Sequence, residues 1–465
     1  MKTNNKKYSH CKHQYLALIA LFFLWSCNDF VEIDPPATEV SGDVVYNDEA
    51  TAKAALDGIY SELVVRMFGI AYGGPTLYGG LSSDEFVNFS TNLNNLQFFE
   101  NALTTSNTHV NGLWSEAYTR IFGINSVIEG LGNDTNINAT NHQQMMGEAL
   151  FMRAFLHFYL VNLFGDVPYI TTSDFRVNTD ISRMPATLVY EHIISDLIEA
   201  KGLLKDDYSF SNGERTRPNR TAAKALLARV YLFTENWIVA EALATEVIQT
   251  SGLYELKDGL NQVFLPNSRE TIWQLVPRAP GNTAEGLNFI LTGAPLFASL
   301  TEELLEAFEE GDMRFTDWVG HYSDGNQTFA FPFKYRVRTS TATEEYYTVL
   351  RLGEQYLIRS EARAHHGDLE GAMSDLNVIR NRAGLENTSA TDEASLFLAI
   401  EQERRIELFA EWGHRWLDLK RTDRADTVLG AVKTDWQPTD VLYPIPLEQI
   451  LRDINMDDTD QNPGY

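Results

Sequence analysis

The sequence predicts a mostly α-helical fold of stacked helix pairs, joined to an irregular, loop-rich half that carries short β-strands. Three observations predict it. Apolar residues recur at helical spacing through successive segments of the chain. One spacing of small and large residues occurs twice, at Trp237, Ala240, Ala244, Val247 and at Leu369, Ala372, Leu376, Ile379. Two stretches, 69–110 and 252–347, break the pattern with Gly, Asn and short β-like runs.

Residues 50–67 have the first helical period, with Ala54, Leu56, Ile59, Tyr60 and Leu63 inward. The segment 69–108 holds too many turn formers for a packed element and is read as a long loop, a kind of segment that is usually functional. Helices follow at 111–131 and 143–164, the second stopped by Gly165-Asp166-Val167-Pro168, and at 187–204. Pro218 precedes a helix at 221–234, and Glu235-Asn236 turns the chain into another at 237–249. The insertion 252–347 carries β-like runs at 271–276, 328–331 and 334–338. Helices return at 349–365, 369–382 and 393–412, and the tail is irregular. Each copy of the repeated spacing follows a polar turn after an Ala-rich helix. Small residues there let two helices approach closely, which resembles a tetratricopeptide helix pair.

The 465 residues have a formal net charge of −27. That field repels phosphate backbones and argues against nucleic-acid binding. Cys11 and Cys27 are the only cysteines. A disulfide framework, a Cys-based zinc site and a Cys nucleophile are therefore excluded from the body.

Residues 1–13 are polar and basic, and 15–25 are an unbroken apolar run, the pattern of a signal peptide over 1–26. Leu24-Trp25-Ser26-Cys27 resembles a bacterial lipobox, in which Cys27 is the acylated first residue of the mature chain. Residues 27–48, polar and carrying Pro35-Pro36, read as a tether. Residues 49–465 read as one domain with variable insertions at 69–110 and 252–347.

No catalytic constellation stands out. Carboxylates are abundant, but hydrolysis of a glycosidic bond needs two at a defined separation, which spacing along a sequence does not supply. There is no His-Glu-x-x-His stretch and no Gly-rich phosphate loop. The segment from Asp134 begins like a calcium loop but has Ala139 and Met145 where Gly and the bidentate acid belong. No cofactor and no metal are expected. Arg153, His157 and Asp166, and the charged run 403–421 with Trp412 and Trp416, read as packed helix and structural ion pairs.

The best ligand candidates lie in the two irregular stretches. The first supplies Asp84, Phe86, Asn88, Phe89, Asn92, Asn94 and Phe98. The second supplies Trp318, Tyr322, Phe331 and Tyr335. Rings cover the apolar face of a sugar while amides and carboxylates bond its hydroxyl rim. Phe89, between Asn88 and Ser90, is expected to be the most exposed ring of the first stretch, and Trp318 is the largest in the second. The competing reading is that these rings anchor loops to the core.

Several segments in order resemble the SusD/RagB family of Bacteroidetes outer-membrane lipoproteins. They are 147–158 (GEALFMRAFLHF) with 163–168 (LFGDVP); 217–218 leading to 222–232 (AAKALLARVYL); 350–362 (LRLGEQYLIRSEA) with 376–384 (LNVIRNRAG); 403–411 (ERRIELFAE) with 415–421 (RWLDLKR); and the tail 443–446 (YPIP) and 461–465 (QNPGY). The resemblance implies four tetratricopeptide pairs in a right-handed superhelix supporting a variable, loop-rich ligand half. It also implies a non-catalytic protein, lipid-anchored on the outer membrane and facing the cell surface. Such a protein captures an oligosaccharide, or in some members a peptide, and delivers it to a SusC-like TonB-dependent transporter. An α-helical scaffold without a small ligand remains the alternative from another class.

Overall fold

The computed structural model describes residues 45–133, 136–179, 181–278 and 282–465. The signal peptide, Cys27 and most of the tether lie outside the described residues. Helix α1 (Glu49–Leu63) begins at Asp48, whose carboxylate accepts from the Ala50 and Thr51 amides and so satisfies two otherwise unpaired donors. Ala52, Leu56 and Leu63 face inward, while Ala54, expected inside, is exposed.

The stretch read as a long loop is packed. Helix α2 (Gly74–Ser82) is buried at every residue. It is followed by strand β1 (Phe86–Asn88) and helix α3 (Leu93–Glu100). The glycines that suggested turns are spacers instead. A Cβ on Gly79 would lie 3.0 Å from the Gly413 Cα, and a Cβ on Gly80 would run into the Phe86 ring. Gly73 alone makes the turn, at φ 81°, ahead of Pro75 near the helix start.

Helices α4 (Thr108–Gly132) and α5 (Ala139–Phe164) follow. α5 is buried over almost its whole length, because α1, α4, α6 (Ala186–Leu203) and α7 (Arg220–Phe233) all pack on it. That position accounts for a run apolar all round rather than on one face. Phe151 and Phe155 meet the Trp273 ring edge-on at 4.9 and 5.2 Å. Each such fully buried side chain contributes roughly 1.5–3 kcal/mol.

From α5 onward, each long helix packs on the next, across the insertion between α8 and α9 as well. α5 packs on α6, α6 on α7, α7 on α8 (Trp237–Ile248), α8 on α9 (Leu352–His365), α9 on α10 (Leu369–Arg382) and α10 on α11 (Glu393–Glu407). The repeated spacing is a repeated structure. Ala240, Ala244 and Val247 are buried, as are Ala372, Leu376 and Ile379, while Trp237 and Leu369 are both half-buried. The turns match as well. Glu235 and Gly367 have φ 57° and 90°, and the caps Asn236 and Asp368 have φ/ψ of −86°/71° and −82°/69°.

Among the described residues six short strands make three antiparallel pairs. β1 pairs with β3 (Ala298–Leu300), β2 (Thr271–Leu275) with β6 (Tyr347–Arg351), and β4 (Val319–Ser323) with β5 (Thr328–Pro332). Two sequence expectations are corrected here. Residues 334–338 form no strand, and the helix expected from 349 starts at Leu352, the preceding residues having joined β6. The tail is not irregular throughout: α12 (His414–Arg421), α13 (Ala425–Val432) and a short helix at Leu447–Arg452 occupy it. Trp412 and Trp416 are both buried, but Trp412 sits in the turn between α11 and α12 at φ 50° rather than on a shared helix face.

A buried ion-pair lattice ties strands to helices. Arg351 reaches Glu411 at 2.8 and 2.9 Å and Glu407 at 2.5 Å. Arg382 bonds Glu270 at 2.9 Å and also Glu407. Arg314 bridges Asp312, Glu403 and Glu407 at 2.8, 2.6 and 3.1 Å. Burial alone would raise the Glu407 pKa, but the Arg382, Arg351 and Arg314 guanidiniums overcome that and hold it far below the usual carboxylate range. The end of α5 is clamped from far along the chain. The Tyr443 amide donates to Leu163 O at 2.8 Å, and Asn462 Nδ2 donates to Phe164 O at 2.8 Å. Among the described residues no helix is long and apolar enough to cross a membrane, and no cluster of His, Cys, Asp and Glu could hold a metal ion.

Candidate functional site: an aromatic ledge

The two irregular stretches chosen from sequence converge at one place. β1 runs antiparallel to β3, with Phe86 opposite Leu300 and Asn88 opposite Ala298, and the Phe89 amide extends the ladder to Phe297 O at 2.9 Å. β3 in turn lies beside β5 of the β4–β5 hairpin. The Phe89 ring meets Phe329 edge-on at 5.4 Å. Phe297 meets Phe68 edge-on at 5.6 Å. Phe68, Phe89 and Phe297 are half-buried, so each presents part of a ring to solvent. Leu296 and Leu93 beside them are 73% and 71% exposed.

Phe68 holds its place at φ 60°, a left-handed conformation that a bulky side chain adopts at a cost of roughly 1–3 kcal/mol. Such strain is retained where the surroundings over-determine it, and binding surfaces are a common setting.

Amides border the ledge. Asn88 donates from Nδ2 to Ser90 O and accepts from Ser90 N, both at 3.1 Å, which fixes its orientation. Asn92 caps α3, accepting from the Asn94 amide at 2.9 Å, and is exposed. Asn94 is committed on both sides, to Asn92 Oδ1 at 3.1 Å and to the Thr108 amide at 3.0 Å. Tyr322 is half-buried on β4.

The remaining candidates from sequence are core. Phe86 and Phe98 are fully buried, Phe98 stacked 4.5 Å from Tyr78. Trp318 is also fully buried; its indole N–H donates to Leu260 O at 3.1 Å and Lys334 Nζ sits 4.6 Å over its ring. Phe331 is buried against Gly320, and Tyr335 accepts from the Thr348 amide at 3.0 Å. Asp84 is a bolt beneath the ledge, bound through both oxygens by Arg415 at 2.8 and 2.9 Å and by Arg405 at 2.9 Å. Burial opposes its ionisation, but Arg415 and then Arg405 pull its pKa below the ordinary value. Its neighbour Glu85 has no such partner. Burial, reinforced by the Asp84 charge, pushes Glu85 up to about 8, so it is protonated at neutral pH.

Arg153, His157 and Asp166 are structural. Arg153 holds Asp196 at 2.7 Å through two nitrogens, and the Asp166 carboxylate accepts from the Ala186 amide at 2.8 Å. Burial lowers the His157 pKa to about 4. Sequence reasoning missed Phe68 and Phe297. For Phe297 the signal at hand was Pro295 two residues before it; Phe68 carried none, because its place depends on its backbone conformation.

A family model described as "Starch-binding associating with outer membrane" matches residues 39–232, and one described as the SusD family matches residues 316–465. SusD-like protein P2 of Formosa agariphila is 26% identical over 518 aligned positions, spanning 98% of this chain and all of that relative. Among solved structures, surface glycan-binding protein A from Bacteroides fluxus superposes with a TM-score of 0.76 at 23% identity, covering 90% of this chain and all of that one. A laminarin binding SusD-like protein does so with a TM-score of 0.75 at 24% identity and the same coverage. With matching models at both ends, whole-length relatives and a shared helix-pair architecture, the chain belongs to the SusD family.

Proposed function

We propose that this chain is a non-catalytic glycan-binding lipoprotein of the cell surface. It takes an oligosaccharide on the ledge of Phe68, Phe89 and Phe297, with Asn88, Asn92 and Tyr322 at its rim. It then passes the ligand to a SusC-like TonB-dependent transporter in the outer membrane. The observation that carries this is the ledge itself: half-exposed rings from three separate segments, Phe89 and Phe297 on one strand ladder and Phe68 packed on Phe297, bordered by amides. Sugar rings are bound by that combination of flat apolar surface and hydroxyl-bonding rim. The names of the relatives point the same way, since two structural neighbours are described as glycan or laminarin binders. The family description, association with the outer membrane, supports an anchor at Cys27.

The non-catalytic reading is supported by the state of the two carboxylates that precede β1. Asp84 is locked by two arginines and Glu85 is buried, so neither is free to flank a glycosidic bond.

The test is a glycan array on the mature chain, followed by calorimetry with the best oligosaccharide on the wild type and on Phe89→Ala/Phe297→Ala. Each ring contact contributes about 0.5–1.5 kcal/mol beyond burial, so the double variant is expected to bind about five- to 150-fold more weakly while still folding. Unchanged affinity removes the ledge from the site. An array without a hit, with a barrel protein retained in a pull-down, favours the scaffold reading. Palmitate labelling that persists in Cys27→Ala refutes the anchor.

A further inference from the structure

A cavity of about 530 Å³ lies between the end of α5, the start of α6, α12 and residues 461–463. It is separate from the ledge and shares no residue with it. Three cations line it, Lys420, Arg183 and Arg421. Lys420 donates from Nζ to Asn162 O. Arg183 donates to Asp166 O at 2.7 Å, to Asn462 Oδ1 at 2.6 Å and to Asp460 O. Every one of these acceptors is neutral. Among the described residues no carboxylate comes within ion-pair distance of Lys420 or Arg183.

The other charges facing the cavity are already matched. Arg421 is bound by Glu361 at 2.6 and 2.8 Å and by Asp418 at 2.8 Å. Asp166 accepts from the Ala186 amide at 2.8 Å, and Tyr190 donates to Asn162 Oδ1 at 3.0 Å. Arg153, Arg229 and Lys334 are each paired with a carboxylate, Asp196, Glu354 and Glu411, whereas buried Arg215, like the cavity cations, is bonded to neutral oxygens. Asp166 and Asp460 offset part of the Arg183 charge from beyond ion-pair distance, while among the described residues no carboxylate does so for half-buried Lys420.

We propose that this cavity binds a small oxyanion, the carboxylate of an acidic monosaccharide or a free inorganic anion, held between Lys420 and Arg183. The charge state of Lys420 supplies a signature. Burial lowers its pKa to about 7. An anion beside it favours the charged form, so binding at alkaline pH takes up a proton. The other charged and titratable groups around the cavity are Asp166, Asp460, Arg183, Tyr190, Arg421, Glu361 and Asp418.

The experiment is calorimetry on the mature chain with sodium glucuronate, sodium sulfate and neutral glucose at constant ionic strength. It is run near pH 6.5 and 8.5, in buffers of low and high ionisation heat. Glucuronate or sulfate is expected to saturate, to bind about tenfold more tightly at the lower pH, and to take up a proton at the higher one. Lys420→Met and Arg183→Gln should each weaken binding about tenfold or more, and Lys420→Arg should keep it while abolishing the pH dependence. The last variant, with its melting curve, guards against a fold that does not tolerate Met. Binding of glucuronate alone identifies the acidic sugar, and equal binding of sulfate identifies the free anion. Saturation by neither, equal binding of glucose, or a pH dependence that survives Lys420→Arg overturns the proposal.

Discussion

Replacing Trp318 separates a ligand ring from a core ring more sharply than any other single change. Its side chain is fully buried, its N–H is bonded to Leu260 O at 3.1 Å, Phe264 meets it at 5.7 Å, and Lys334 lies over its face. Truncating a buried Trp to Ala costs about 3–5 kcal/mol through lost transfer energy and the cavity left behind. The cation over the ring loses a further contact worth about 0.5–2 kcal/mol. Domains have about 5–15 kcal/mol in total, so Trp318→Ala is expected to lose most of its stability. Trp318→Phe is the measurable partner: it keeps a ring but leaves Leu260 O unpaired, a cost of about 1–3 kcal/mol. The assay is urea unfolding of both variants, with oligosaccharide calorimetry on the folded one. A Trp318→Phe variant as stable as wild type but weakened in sugar binding would refute the core assignment and restore this ring to the site.

Two glycines in helices should respond oppositely to alanine. Gly58, with open space around it, should gain about 0.5–1 kcal/mol. Gly80, pressed on Phe86, should lose about 1–3 kcal/mol to overpacking, more than the helical gain returns; thermal melts compare the pair. Asp84→Asn leaves Arg415 and Arg405 buried without their counter-charge and should cost about 3–5 kcal/mol, read by urea unfolding. Glu85 ionises near 8 in the fold against about 4.5 when unfolded, so its contribution is full below the lower value and is lost as pH rises through 8. Glu85→Gln should therefore be more stable than wild type at pH 9 and lose that advantage at pH 4; a constant difference across that range counts against a buried, protonated Glu85.

The helix-pair half was legible because helical period and small-residue spacing are local properties. Ala240, Ala244, Ala372 and Leu376 announce a close helix contact wherever the partner comes from. The ledge half was legible only in part. A glycine that opens a turn and one that admits a neighbour look alike, and α2, with glycines at 74, 79 and 80, uses them for contact. A Trp beside Asp317 looks like a sugar platform until the fold sets Phe264 and Lys334 around it. Phe89 could be picked because polar neighbours keep a ring near the surface. Phe68 could not, because its placement rests on a backbone conformation that no side-chain pattern encodes.

The clamp on α5 has a consequence for the order in which the molecule can be made. Phe164 O finds its partner in Asn462, 298 residues later, and Leu163 O finds its partner in Tyr443. At roughly 5–20 residues per second, that partner leaves the ribosome roughly 15–60 s after Phe164 does. During that interval the helix on which α1, α4, α6 and α7 pack has an open end and an uncovered surface. A nascent chain in that condition is a client for holdase chaperones, and it is also still threadable, which is the state a secretion channel requires. For the surface lipoprotein proposed above, final closure follows export, once the late residues have arrived to seal the helix that was synthesised long before them.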